Sequence, residues 1–437
     1  MDYGRGEKGM RRRVNVGVIG FGTIGAGVVR ILLSRRSMLK QKTGLDIRLK
    51  YICDKDFSYD RGIGKVPQEL QVKDWKKVVV DPEVDVVVEL VGGTKVAGEI
   101  VLTALRQGKS VVTANKALLS ERAKEILSIG IPGKNLFFEA SVCGAIPVVK
   151  TIREALVTNK IKGLYGIVNG TCNYILSSMF ESSLEFKVAL EQAQHLGYAE
   201  KDPILDIEGI DSSHKISILS MLAFGKYVHP DKILTEGISR IELIDLLFAA
   251  DMGYRVKLLA IAQEEKEGLD IRVHPALIPE EHMLSNISGV FNGLYLRTDT
   301  AGDMLLYGRG AGRFPTASAV VSDIVDAARE RISGIAGREV ELNFSPKVAE
   351  IESRYYIRFT VVDRPGVLAK ISGILGKHCI SISSVHQTER AKGRNNTVPL
   401  ILLTHEASEK EMSQAIKEIS ELDVVKRTPV LIRIMDL

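Results

Sequence analysis

Asp211 and Lys215 stand four residues apart in a run that reads as helix, so they share one helical face. A carboxylate there can hold a cationic substrate group, and the lysine ammonium beside it can pass a proton to a reacting oxygen. Glu200 stands upstream in Gly197-Tyr198-Ala199-Glu200-Lys201-Asp202-Pro203, which reads as a loop, and Asp206 and Gly209 follow it. Taken alone, such a pair more often marks a solvated surface ion pair, so the rest of the chain has to decide.

A second constellation is Gly20-Phe21-Gly22-Thr23-Ile24-Gly25, between an apolar run at 14–19 and a helical pattern at 28–33. In that setting the glycines let the backbone approach a pyrophosphate, and the helix N-terminus faces it. At the end of the next predicted strand, Asp54 suits a ribose 2′-hydroxyl and Lys55 a 2′-phosphate. Thr113-Ala114-Asn115-Lys116 ends a later strand, at the sheet edge where such folds bind ligands, so Lys116 is placed to meet cofactor or substrate, or else is a solvated loop lysine. The small residues of 139–147 suit a close approach to a nicotinamide, a cation held by backbone carbonyls, or a plain domain-crossing turn.

These residues need elements to hold them. Predicted strands at 14–19, 48–53, 84–90, 110–113 and 136–138 alternate mostly with helices, which implies a parallel α/β sheet over the first third. From Pro147 the texture becomes α+β, with helices expected at 148–156, 173–180, 186–196, 212–224 and 244–264 and strands near 163–168 and 271–276. A glycine-rich segment at 307–313 leads into a helix at 316–332, and 333–353 reads as a linker. The rest, 354–437, follows the order βαββαβ, a ferredoxin-like sandwich whose first strand turns through Asp363-Arg364-Pro365-Gly366.

The length of 437 residues calls for two or three domains. A charged fraction of 26% and a net charge of +5, with no basic and aromatic interleaving beyond a basic tail at 1–13, argue against nucleic acid as a partner. No run is long and apolar enough for a bilayer. The four cysteines are scattered with no CxxC, which points to free thiols in a reducing cytoplasm and away from a zinc site.

Together these motifs resemble the homoserine dehydrogenase family in its long form, with a C-terminal ACT regulatory domain. The likeness runs from about Val14 to the C-terminus, and includes Gly92-Gly93-Thr94, Asn169-Gly170-Thr171-Cys172-Asn173-Tyr174 and Pro315-Thr316-Ala317-Ser318-Ala319. It implies a Rossmann-like nucleotide-binding domain at 14–147 with a return segment at 307–332, an α+β substrate and dimerisation domain at 148–306, and an ACT domain at 354–437. It implies interconversion of L-homoserine and L-aspartate 4-semialdehyde with NADP or NAD, on the route to threonine, isoleucine and methionine.

Carried over by position, Lys215 resembles the family's acid/base lysine, and Glu200 and Asp211 the carboxylates that engage the substrate's amino group. Lys116 resembles the lysine near the nicotinamide, Thr94 and Gly312 cofactor contacts, and Glu139, Val142, Gly144 and Ile146 a monovalent-cation (sodium) site. Asp363 and Gly366 fall on the turn that contributes to an effector site, with threonine as the expected effector or, alternatively, a purely oligomeric role for the module. A homodimer or homotetramer is implied.

Two departures stand out. Lys201 replaces the usual proline after Glu200, and Cys53 stands where NADP-preferring members often carry arginine, so relaxed cofactor choice is expected. No kinase-like segment is seen, and the chain reads as monofunctional. The C-terminal module reads as dispensable for chemistry. Competing readings are an inactive amino-acid or redox sensor, against which the intact Lys215, Glu200 and Lys116 argue, and a dehydrogenase of another semialdehyde.

Overall fold

The computed structural model describes residues 13–265, 268–333, 351–387 and 397–435. The basic tail up to residue 12 and most of the expected linker, 334–350, lie outside them. Two compact units emerge. One joins the chain up to Thr158 with Ser217–His229 and the stretch beginning at Gly308; the other joins Asn159–Ile216, Pro230–Tyr307 and the C-terminal region.

The first unit holds strands β1 (Arg13–Ile19), β2 (Asp46–Cys53), β3 (Gln71–Val72), β4 (Val86–Glu89), β5 (Ser110–Thr113) and β6 (Leu136–Phe137). They form a parallel sheet in the order β3-β2-β1-β4-β5-β6. Val86, Val87, Val88, Val111 and Val112 are completely buried, as a parallel sheet covered on both faces requires. The helix Arg313–Ser333 returns here, and Ala317, Val320 and Ile324 join the core around Val16, Val18 and Val28. Gly27 permits this: a Cβ there would stand 2.9 Å from the Ala317 Cβ.

The second unit is built on a large mixed sheet. Its strands are β7 (Ile161–Ile167), β8 (Leu234–Thr235), β9 (Tyr254–Glu265), β10 (Gly268–Pro279), β11 (Phe291–Thr298), β12 (Asp303–Arg309), β13 (Glu352–Val362), β14 (Ile382–Gln387), β15 (Thr397–Thr404), β16 (Ala407–Ser408) and β17 (Val430–Ile434). The order is β12-β11-β7-β9-β10-β17-β13-β15-β14, with β8 on β10 and β16 on β13. The single helix expected at 244–264 is instead a helix, Leu243–Asp251, a left-handed Gly253 (φ +80°), and strand β9. Residues 256–262 are buried on both faces, so this stretch, apolar except for Lys257, carries no period to tell strand from helix. Strand β11 and most of β12 were not foreseen for the same region of the chain.

The C-terminal module, β13 to β17 with helices Val367–Lys377 and Glu409–Ser420, has the expected βαββαβ order and its own core around Tyr355, Phe359, Ile371, Leu375 and Met412. Its sheet does not end there. β17 runs parallel to β10, pairing Arg433 with Ala276 and Ile434 with Leu277, and Met435 N–H donates to Leu277 O at 2.9 Å. Arg358 donates to the completely buried Asp245 at 2.7 and 3.1 Å, and Tyr356 O–H donates to the same carboxylate at 2.7 Å. No described helix is long and apolar enough to cross a membrane.

Candidate active site

Asn169 organises the acid cluster of Asp206 and Asp211. It caps the helix Gly170–Glu181, its Oδ1 accepting from Cys172 N–H at 2.8 Å. Its Nδ2 faces the other way and donates to Asp206 Oδ1 at 2.7 Å and to Asp211 Oδ2 at 2.8 Å. One amide thus holds two carboxylates within reach of a single small cation. Lys215 Nζ donates to Asp211 Oδ2 at 2.7 Å and to Val168 O at 2.6 Å, one turn along the helix Ile210–Phe224. Asn292 Nδ2 donates to the same Val168 carbonyl at 3.0 Å. Asp211 and Lys215 are 8% and 12% exposed at their side chains, which removes the surface ion-pair reading.

Burial pushes the Asp206 carboxyl above the ordinary aspartate range, and the Asp211 charge adds to that. An ammonium brought beside these two acids would favour their ionised forms. Glu200 lies exposed at the end of the preceding turn, where its main-chain carbonyl accepts from Gln194 Nε2 at 3.1 Å.

The glycine fingerprint has the geometry a dinucleotide needs. Gly20 has φ +100°, and a Cβ would stand 2.4 Å from Leu90 O; at Gly25 a Cβ would stand 1.9 Å from Gly20 O. Nothing lies within 4 Å of a Cβ at Gly22, at the head of the twelve-residue helix Thr23–Ser34. The first-turn N–H groups of Thr23, Ile24 and Gly25 have no intrahelical partners by geometry, so the site fits a pyrophosphate.

Asp54 does not simply await a ribose. Its Oδ2 accepts from Phe21 N–H at 2.7 Å and its Oδ1 from Asp56 N–H at 3.1 Å. A guanidinium does reach this strand end, though not from position 53. Arg61 is buried, lies 4.0 Å over the Tyr59 ring and 4.5 Å over Phe21, and sits 3.9 Å from Asp54 Oδ1. It donates to the carbonyls of Phe21 and Asp56, so it braces the loop from below while Lys55 stays exposed.

Glu89 is a further residue that local reading passed over. It ends β4 fully buried, its carboxyl raised by burial, accepting from Thr113 O–H and Val91 N–H at 2.7 Å each. Asn115 caps the helix Lys116–Glu121 through Leu118 N–H and donates from Nδ2 to Gly93 O at 2.7 Å. Glu89 and Asn115 therefore tie the Gly92-Gly93-Thr94 loop to the loop that presents Lys116. An acid at the carboxyl end of an otherwise apolar buried strand was the available signal.

The turn through Glu139, Val142, Gly144 and Ile146 is buried. Gly144 has φ +57°, and a Cβ would stand 2.4 Å from Gly310 O, two residues before Gly312, itself at φ +120°. Glu139's carboxylate accepts from Val149 and Lys150 N–H at 2.8 Å each, so it caps the next helix. In the C-terminal module, Gly366 at φ +88° opens the helix Val367–Lys377 three residues after Asp363.

The family described as "Homoserine dehydrogenase" matches residues 147–325, its NAD-binding domain matches 20–128, and the ACT domain matches 355–423. A homoserine dehydrogenase of Neisseria gonorrhoeae is 42% identical over 97% of this chain and 99% of its own. This chain belongs to the homoserine dehydrogenase family. The crystal structure of a homoserine dehydrogenase from Thiobacillus denitrificans superposes with a TM-score of 0.88 at 39% identity, covering 97% of this chain and 98% of that one. A hyperthermophilic archaeal homoserine dehydrogenase solved in complex with NADPH matches at 26% identity and TM-score 0.61, over 74% of this chain and 99% of its own. As a homoserine dehydrogenase, the chain is an oxidoreductase acting on a CH–OH group with a Rossmann-like NAD(P)-binding domain. Asn169 lies in a motif that carried the resemblance and Asp206 follows the Glu200 loop, but spacing alone assigns neither a role of its own.

Proposed function

We propose that Lys215 is the acid that protonates the nascent alkoxide of L-homoserine, and that Asp206 and Asp211, with Glu200 at the rim, hold the substrate's ammonium. The observation that carries this reading is the single Asn169 amide bridging two acids, one of which holds Lys215. The nicotinamide cofactor supplies the hydride when bound. The loop joining Gly93, Asn115 and Lys116 belongs to the cofactor's side of the reaction, with Lys116 near the nicotinamide. Thr94 and Gly312 border the same cofactor. The test is oxidation of NADH and NADPH with aspartate 4-semialdehyde, with and without threonine. Turnover that requires the semialdehyde and is altered by threonine supports the reading and its place in threonine, isoleucine and methionine synthesis; no turnover with either cofactor refutes it.

Cofactor choice should be relaxed, with NAD usable alongside the NADPH seen in the archaeal relative. Asp54 at the β2 end disfavours a 2′-phosphate, and Arg61 spends donors on backbone carbonyls. Comparing kcat/KM for the two cofactors checks this: a preference for NADP above about a thousandfold, roughly 4 kcal/mol, would mean that Lys55 or Arg61 captures the 2′-phosphate.

The raised Asp206 carboxyl has a pH consequence. Below its folded value the group is protonated and the ammonium site loses one anion. KM for homoserine should therefore rise as pH falls, starting above the 3.8 of an ordinary aspartate. A KM flat down to that pH would take Asp206 out of substrate binding.

A monovalent cation such as sodium would use the main-chain carbonyls of Glu139, Val142, Gly144 and Ile146, because Glu139's carboxylate is committed to Val149 and Lys150. Threonine is assigned to the Asp363–Gly366 turn of the ACT module. Self-association as a dimer or tetramer has a candidate surface in β14, which ends the large sheet and has no strand on its outer edge among the described residues.

A further inference from the structure

One buried guanidinium connects the C-terminal module to the loop that carries the substrate acids. Arg433, on β17, is completely buried. Its Nε donates to Glu409 Oε2 at 2.9 Å, its Nη1 to Glu236 Oε2 at 2.7 Å, and its Nη2 to Glu236 Oε1 at 2.9 Å and to Glu409 Oε1. Glu409 opens a helix of the module itself, whereas Glu236 follows β8 in the substrate-binding part of the sheet. A fork of charge-assisted bonds of this kind fixes direction as well as distance.

From Glu236 the contact continues without a gap. Its N–H donates to Val273 O on β10 at 2.8 Å, which seats the segment on the sheet. Ile238 N–H donates to Ile207 O at 2.7 Å. Gly237 lies so close that a Cβ would stand 2.1 Å from Ile207 O and 2.4 Å from the Glu208 Cα. Gly209, at φ +80°, closes the other side, where a Cβ would stand 3.2 Å from Thr235 Cγ2 and 3.3 Å from Glu236 O. Residues 207–210 link Asp206 to Asp211, and at Gly237 there is no room for a side chain between that link and the segment after β8. A shift of the Glu236 carboxylate therefore moves the backbone between the two acids.

We propose that Glu236, clamped by Arg433, is a positioning residue for the Asp206–Asp211 pair, and that this strut carries the influence of the C-terminal module to homoserine binding. The proposal rests on those two acids holding the substrate's ammonium, as set out above. Coupling of this kind works only if the strut has two arrangements that differ in substrate affinity. It acts on binding, so it should appear in KM and spare the chemical step.

The test uses the full chain with Glu236→Gln and Glu236→Ala, alongside Asp211→Asn. Arg433 keeps Glu409 in the Glu236 variants, so the module's interior is not left with an unpaired guanidinium. KM for homoserine should rise about tenfold in Glu236→Ala and less in the isosteric Glu236→Gln, with kcat within about twofold and cofactor KM unchanged, the size of an ordinary coupling between sites. Threonine's effect on KM should shrink in the same order. A purely structural role would lower the thermal midpoint and the active fraction while leaving KM where it was. Unchanged KM in both Glu236 variants with a raised KM in Asp211→Asn overturns the strut. Unchanged KM in all three overturns the ammonium-site reading and the strut with it.

Discussion

Replacing Lys215 by alanine is expected to lower kcat by about two to four orders of magnitude, the usual share of positioned acid–base catalysis. The lysine's ammonium is held by Asp211 Oδ2 and the Val168 carbonyl, which fixes where it can meet a substrate oxygen. As hydride reaches the aldehyde carbon, its oxygen becomes an alkoxide, and a fixed cation there both stabilises and protonates it. The cofactor's pyrophosphate loop lies in the other unit, so its dissociation constant should change little. Steady-state turnover together with cofactor titration by fluorescence decides the matter. Near-normal kcat in Lys215→Ala would remove it from the chemistry.

Ending the chain before β13 is expected to abolish a stable fold, against the dispensable module that the sequence suggests. The cut would uncover Asp245, completely buried in the full chain, and take away the two Arg358 bonds and the Tyr356 hydroxyl bond that it accepts. In the full chain, where Asp245 stays covered, removing one partner of such a pair costs about 3–5 kcal/mol, a large part of the roughly 5–15 kcal/mol that holds a domain together. β10 would also lose β17 from its edge and present unpaired backbone groups, a template for aggregation. The single change Arg358→Met isolates the first effect in the full chain, and Asp245→Asn with Arg358→Met should recover part of the loss. Urea unfolding of both and solution scattering of the shortened chain provide the measurements. A monomeric, cooperatively folding and active shortened chain would show that the module is only attached.

The C-terminal helix Val367–Lys377 begins and ends where the sequence placed it, and β5 matches its predicted span as well. Both are bounded by local punctuation: Pro365-Gly366 before the helix, and Gly108 and Asn115 on either side of the strand. The failure at 244–264 shows the limit of that reading. Gly253 sits inside an apolar run, and a lone glycine there did not reveal that its φ of +80° turns a helix into a strand. Lys257, on β9, is buried, and burial lowers its pKa to about 8.

By itself the sequence determined the parts whose causes are local. Glycine spacing at Gly20, Gly22 and Gly25 announces a pyrophosphate loop because a Cβ at Gly20 or Gly25 would collide with nearby backbone, and one at Gly22 would stand in the open space before the helix. The four-residue step from Asp211 to Lys215 puts both on one helical face because the helix repeats every 3.6 residues. Only the tertiary structure decided how those parts meet. Asn169 reaches Asp206 across 37 positions, Arg61 comes to the β2 end from a later loop, and Arg433 finds Glu236 across 197. Such contacts follow from which strands share a sheet and which faces are buried, and neither periodicity nor spacing along the chain records them.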